Sequence, residues 1–389
     1  MQKIFITLLL FLSLCFASNS SVEKFKWPNG ISLLQFMEKS EIPLSVYYSL
    51  EKEDQELTNE IIADSTCYML KDSRGKILQL LIPINDELQI QIYKDKHGSY
   101  QLDFIPIIYE KHNYTLGIQI ETSPYNDIVK ATGSSAVANE FMLVFKNDVN
   151  FKKLQKGDKL VILYEQKTRL KQPFGSVNII AGMIEERKKP HYLYFFDDKY
   201  YDENGKKTES FLLVTPINGA KIVSKFTPKR FHPILKRYRA HLGVDYGAPK
   251  GTKIFAAGNG KVTFVGRKNG YGNVIEVSHG GGYTSLYAHL SGFAKGIKVG
   301  NSVKQKDLIA YVGNTGLSTG PHLHFGLYKN KQAVDPLKVV KIEKTNVVSK
   351  EELKFKALVK DKNEQIKNAM SGEKNPPKFE NYDSIMILN

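Results

Sequence analysis

Disulfide chemistry has almost nothing to work with in this chain. Two cysteines occur in 389 residues, and one of them, Cys15, lies in a leader-like N-terminal stretch. Cys67 alone remains, and a single thiol closes no internal disulfide, so the folded protein rests on its hydrophobic cores. Between Ser65-Thr66 and Tyr68-Met69, Cys67 reads as a small buried hydrophobe. Low-complexity tracts are missing, which argues against a disordered or fibrous class. No clear internal repeat stands out, which argues against a solenoid. Beyond residue 16 no apolar run is long enough to cross a bilayer. No H-E-x-x-H glutamate occurs, so any hydrolytic chemistry has to find its base elsewhere.

What is present at the N-terminus is a basic Met1-Gln2-Lys3, an apolar run over residues 4–16, and a small-residue cleavage pattern ending at Ala17. Together they read as a secretory signal peptide over residues 1–18, removed on export to the periplasm and the cell wall. Leu14 stands where a lipidation site wants a small residue, which argues against a lipid on Cys15. The mature chain is expected to carry no membrane span. Lysine and arginine number 55 against 40 acidic residues, a formal charge of +15. An exported basic protein meets anionic wall polymers, lipid head groups and acidic peptides, and nucleic acid is not an expected partner. The plainer alternative is that lysine simply serves as the solubilising residue.

Length allows two or three domains. Residues 19–110 mix short helical stretches with alternating strands, for example Glu87 to Tyr93, and read as a small α+β domain. Residues 111–209 are dominated by strands and form a β-rich middle domain, with one short helix expected over residues 133–141. Residues 210–340 are rich in glycine and short strands, an all-β domain. In residues 341–389, Ser349-Lys-Glu-Glu352 resembles a capping box opening a lysine-rich helix, and the end reads as a loose tail. The fold class is multidomain and mainly β.

The chemistry sits late in the chain. His241-Leu-Gly-Val-Asp245 is followed by Pro321-His322-Leu323-His324. Zinc takes imidazole nitrogen and carboxylate oxygen at about 2 Å, and three protein ligands leave a fourth position for water. His241 and Asp245 can supply two, and one histidine of the H-x-H pair a third. Leu323, Phe325 and Leu327 alternate at strand period, so His322 and His324 share a face. The histidine left over then lies beside the metal, where a proton-transfer group is useful. His289, at the end of another strand-like run, joins the set. His97, His112 and His191 fall in polar turns or linkers; His232 and His279 are better read as structural.

These blocks also carry a resemblance. His241-x-x-x-Asp245, Tyr287-Ala-His289-Leu and Gly313-x-Thr-Gly-x-Ser-Thr-Gly-Pro-His322-Leu-His324-Phe325 resemble the lysostaphin/LytM-type zinc endopeptidases, over roughly the last third of the chain. The resemblance implies His241, Asp245 and His324 as zinc ligands and His289 and His322 as the catalytic pair. None of the five is replaced. It implies a groove lined by an antiparallel sheet, with one of the two histidines as base and the other steadying the oxyanion or protonating the leaving amine. Residues 202–222 are similar to the three-domain Gram-negative members, which implies peptidoglycan peptide stems as substrate, D-Ala–meso-diaminopimelate cross-links in particular, with D,D-carboxypeptidase trimming of the terminal D-Ala in some members, in cell-shape remodelling. The rival is a non-catalytic factor of the same fold that binds the wall and activates other hydrolases.

In this architecture a front domain can cover the groove. The acidic stretch over residues 51–60 suits a carboxylate plug, with Glu56 as an inhibitory fourth ligand. A chain lacking residues 19–110 is expected to digest wall peptides faster than the full chain; equal or slower digestion counts against latency.

Overall fold

The computed structural model describes residues 21–169, 172–197, 199–206, 213–232, 237–280, 282–339, 351–371, 376 and 386–387. The expected signal segment and Ser349 lie outside the described residues.

The first unit is a six-stranded sheet in the order Met386–Ile387, Ser21–Lys26, Thr66–Lys71, Ile77–Pro83, Leu88–Lys94, Tyr100–Pro106, antiparallel throughout. The alternation in the fourth of these strands in chain order buries Leu88, Ile90 and Ile92, the period-two pattern the sequence shows. The helix Leu33–Lys39 closes over this face, opened by a capping box between Ser32 and Gln35. Trp27, Met37 and Phe104 fill the core with them. Cys67 lies in the same core with no exposed surface.

The middle unit is a five-stranded sheet, Lys199–Tyr201, Lys189–Phe196, Gln172–Glu186, Lys159–Arg169, Glu110–Gln119. It is covered on both faces, which explains the unbroken apolar run Leu160 to Tyr164. On one face lie the helices Pro124–Thr132 and Ser135–Phe145, whose Ile128, Phe141 and Phe145 meet Leu160, Ile162 and Ile179. On the other lies the helix Glu352–Met370, with Phe355, Ile366 and Ala369 against Val161, Met183 and Tyr194. The helix Pro124–Thr132 goes beyond the strands and single short helix expected here. Its signals are local: Ser123 caps it, Pro124 opens it, and Gly133 ends it at φ 70°, but its length gives little apolar period to read. The helix Glu352–Met370 takes Glu351 as N-cap without a side-chain cap bond; Ser349, on which the expected capping box depends, lies outside the described residues.

The third unit is a ten-stranded sheet whose main path runs Lys221–Ser224, Gly243–Gly247, His322–Lys329, Tyr283–Phe293, Gly272–Gly280, Gly260–Lys268, Ser302–Val303. A separate hairpin, Thr227–His232 with Arg237–His241, leads into it. That hairpin is bedded on the first unit: Tyr238, Ala240 and Leu242 pack into the core around Trp27 and Ile90.

Burial pushes the Cys67 thiol up to about 11, which removes the thiolate that reacts with electrophiles. Native protein at pH 8 is therefore expected to resist maleimide, with stoichiometric labelling only after denaturation. Rapid labelling of the native form would show that this core opens readily.

Candidate metal centre

Register places the ligand types. Asp245 and His324 are direct partners on adjacent antiparallel strands, and Ala288 is the partner of His324 on the other side. His289 follows at once, with φ 59°, a left-handed conformation that a non-glycine residue adopts at a cost of about 1–3 kcal/mol. Its backbone N–H donates to the Tyr271 carbonyl at 2.9 Å. Leu323 and Phe325 are fully buried in the opposite core, so His322 and His324 share the groove face, as their spacing predicts.

The distances are those of one site. Asp245 Oδ1 lies 3.1 Å from His241 Nε2 and 3.0 Å from His324 Nδ1, and 3.8 Å from His322 Nε2. The rings of His289 and His322 are 4.8 Å apart. Burial alone would raise the Asp245 carboxyl, but the hydrogen bonds and charge of His241 and His324 override it and hold it far below its usual range. Burial likewise opposes a charge on His241, and Asp245 outweighs it, raising that imidazole. Burial lowers His322, with only partial compensation from the Gly320 carbonyl.

Backbone carbonyls fix the tautomers. The Lys225, Thr315 and Gly320 carbonyls accept from Nδ1 of His241, His289 and His322 at 3.0, 2.8 and 2.8 Å. A carbonyl cannot donate, so each Nδ1 carries a proton, and in the neutral ring each Nε2 keeps its lone pair. This arrangement fits a divalent cation. His241, Asp245 and His324 offer ligand atoms all within 4.8 Å of one another, two imidazole nitrogens and a carboxylate oxygen, a donor set suited to zinc. His324 Nε2 is buried without a hydrogen-bond partner. Gly243 makes room for this ring: a Cβ there would stand 2.5 Å from His324 Nε2.

The first unit reaches into the same place. Helix Lys52–Leu57 and the turn Thr58–Glu60 form one wall of a cavity of about 250 Å³ whose other wall carries His241, Asp245, His289, His322 and His324. Glu56 Oε1 lies 3.3 Å from His289 Nε2 and shares a second ligand-like cluster with His289 and His324. Burial disfavours a charged His289, and Glu56 overcomes this and raises it. Glu60 accepts from the hydroxyls of Tyr271 and Tyr328. Asp54, 1 % exposed, pairs with Arg237 at 2.5 Å and Arg239 at 2.9 Å.

Residues 239–336 match the family model described as Peptidase family M23, and residues 24–107 match one described as Csd3 N-terminal. The solved structure of Helicobacter pylori Csd3 is 40% identical, aligned over 90% of this chain and 96% of that one, with a TM-score of 0.82. The chain belongs to the M23 peptidases. A zinc-containing peptidase from Vibrio cholerae is 26% identical over 82% of this chain and 99% of its own, with a TM-score of 0.58. The Vibrio cholerae protein named peptidoglycan DD-endopeptidase ShyC is 29% identical over 80% of this chain and 74% of its own length. The chain is therefore a zinc metallopeptidase with the multidomain, mainly β fold that the sequence implies.

Sequence reasoning did not single out Glu60, Tyr271, Tyr328, Arg239 or Gly243. Of these, Tyr271 alone has a local signal that could have drawn attention to it, its place between Gly270 and Gly272. His279 is structural as expected, bonding the Asn259 carbonyl and Ser285 Oγ at 2.8 and 2.6 Å. The M23 variant Gly243→Ala is expected to fold but to lose roughly 10–100-fold in zinc affinity as the His324 ring is displaced. Competition with a zinc chelator measures this, and unchanged affinity would show that the ring has other room.

Proposed function

We propose that this M23 peptidase hydrolyses the peptide cross-links of peptidoglycan outside the cytoplasm, at D-Ala–meso-diaminopimelate bonds, and that it rests in a self-inhibited form. The observation that carries the reading is that two imidazoles and a carboxylate converge within ligand distance while two further imidazoles, each held through Nδ1 by a backbone carbonyl, line the same cavity. The name of the Vibrio cholerae relative supports the substrate. The leader-like N-terminus and the basic charge support export to the periplasm.

His241, Asp245 and His324 would hold the zinc, which supplies Lewis acidity and a more acidic water. The residues of the chain do the rest. The fixed Nε2 of His289 and of His322 can each accept a proton, one as general base toward the attacking water and the other, once protonated, as donor to the leaving amine. Carbonyl groups behind both rings hold them oriented through this exchange. Thr315 and Gly320, which supply those carbonyls, sit in the Gly-rich segment before the H-x-H pair.

Glu56 acts against this chemistry. Its carboxylate beside His289 Nε2 favours the protonated ring, in which that nitrogen already holds a proton and cannot act as a base. The ion pairs of Asp54 with Arg237 and Arg239 hold its helix in place. Removing one partner of such a buried pair costs about 3–5 kcal/mol because the other charge is left unpaired, so the contact fixes the position of the helix.

Purified muropeptide dimers, with products identified by mass, provide the test. The full chain with about one zinc bound is expected to yield monomers slowly, Glu56→Ala roughly ten-fold or more faster, and Glu56→Ala with His289→Ala none. Loss of a terminal D-Ala among the products would reveal carboxypeptidase trimming. Full zinc loading without turnover in either His289-bearing protein would make the protein a non-catalytic factor.

A further inference from the structure

The groove floor next to the histidines carries a second, separate recognition feature. Tyr271 follows the tight Gly270 turn, and its ring lies 5.6 Å from that of His324. Tyr328 lies four residues beyond His324 on the same strand face. The two phenols border an apolar floor of Val274, Leu286 and Ala288. Both hydroxyls converge on one oxygen, Glu60 Oε1, and Tyr328 also lies 3.0 Å from Oε2. Glu60 is 9% exposed. No lysine or arginine pairs with it among the described residues, and Lys268 is engaged by Glu276 at 2.5 Å. Burial raises the Glu60 carboxyl, against the tyrosine hydrogen bonds and His324. Burial thus works against a charge on Glu60, and its hydrogen-bond donors are the two neutral phenols.

The segment carrying Glu60 also carries Glu56, so whatever admits substrate to the histidines must also withdraw Glu60. The hydroxyls of buried Tyr271 and half-buried Tyr328 would then lose their shared acceptor at one point of the groove. We infer that Tyr271 and Tyr328 form a substrate subsite for an uncharged acyl oxygen, an amide carbonyl of the peptide stem, and that Glu60 is an internal imitation of that group. The inference rests on the peptidase reading, deepening it: the pair would hold the stem in register one step along the groove from the bond being cut. A free carboxylate fits less well, because among the described residues no lysine or arginine bonds either phenol and the charge of Glu276 acts on Tyr328.

Three variants of the full, zinc-loaded chain test it. Glu60→Gln places an amide carbonyl where the acid was, and is expected to melt close to the wild type, whereas Glu60→Ala melts lower. Melting of Glu60→Gln as low as Glu60→Ala would overturn the uncharged-acyl assignment, and this readout needs no turnover. Glu60→Ala is expected to cleave dimers faster than wild type. Adding Tyr328→Phe should then raise KM roughly five- to ten-fold at little changed kcat, the loss of one neutral hydrogen bond. If the tyrosines merely clasp Glu60, the double variant will match Glu60→Ala, and the subsite is refuted. Binding of an intact dimer to the two chelator-treated proteins repeats the comparison without catalysis: weaker binding to the double variant supports the subsite and equal binding refutes it, even if the peptidase reading itself fails.

Discussion

One carboxylate oxygen organises the functional half of this protein. Asp245 Oδ1 stands within about 3 Å of both His241 Nε2 and His324 Nδ1, and its carboxyl is kept ionised against the pull of burial. Three backbone segments meet there: the end of the hairpin Arg237–His241, the strand Gly243–Gly247 and the strand His322–Lys329. Antiparallel pairing fixes the last two relative to each other, so the sheet sets the spacing of the donors before any cation binds. Such preorganisation is what a metal site needs, because ligands that must first be gathered lose affinity in the gathering.

The same hairpin that presents His241 also presents Arg237 and Arg239 to Asp54. Arrangement of the centre and coverage of the centre are thus features of one short stretch of chain. Buried ion pairs of this kind contribute little net stability compared with apolar packing, yet are costly to break one-sidedly. They suit a contact that has to be specific in position and all-or-none in character. Glu56 and Glu60 then act at two different points along the groove, one on an imidazole and one on a pair of phenols.

Much of the centre is visible in the sequence because its geometry is local. His322 and His324 lie two apart on a strand, and the pleat alone puts them on one face; Leu323 and Phe325 confirm the opposite face by their burial. The left-handed backbone at His289 and the room left by Gly243 have no comparable signature, since each depends on what packs across from it. Glu60 meets Tyr271 and Tyr328 from more than two hundred residues away, and Asp54 meets Arg239 across a similar separation. Periodicity carries no information about such encounters. The helix Pro124–Thr132 escaped for another reason: it is short, and its cap and stop residues are equally at home in a turn.

The two-residue strand Met386–Ile387 pairs with the edge strand Ser21–Lys26 of the first sheet, while the helix Glu352–Met370, just upstream, is packed on the middle sheet. The front unit is consequently leashed to its neighbour by the far end of the polypeptide as well as by its own continuation. Separating that edge strand from Met386–Ile387 would break the pairing, so the front unit's position is tied to a piece of chain remote from the histidine cluster.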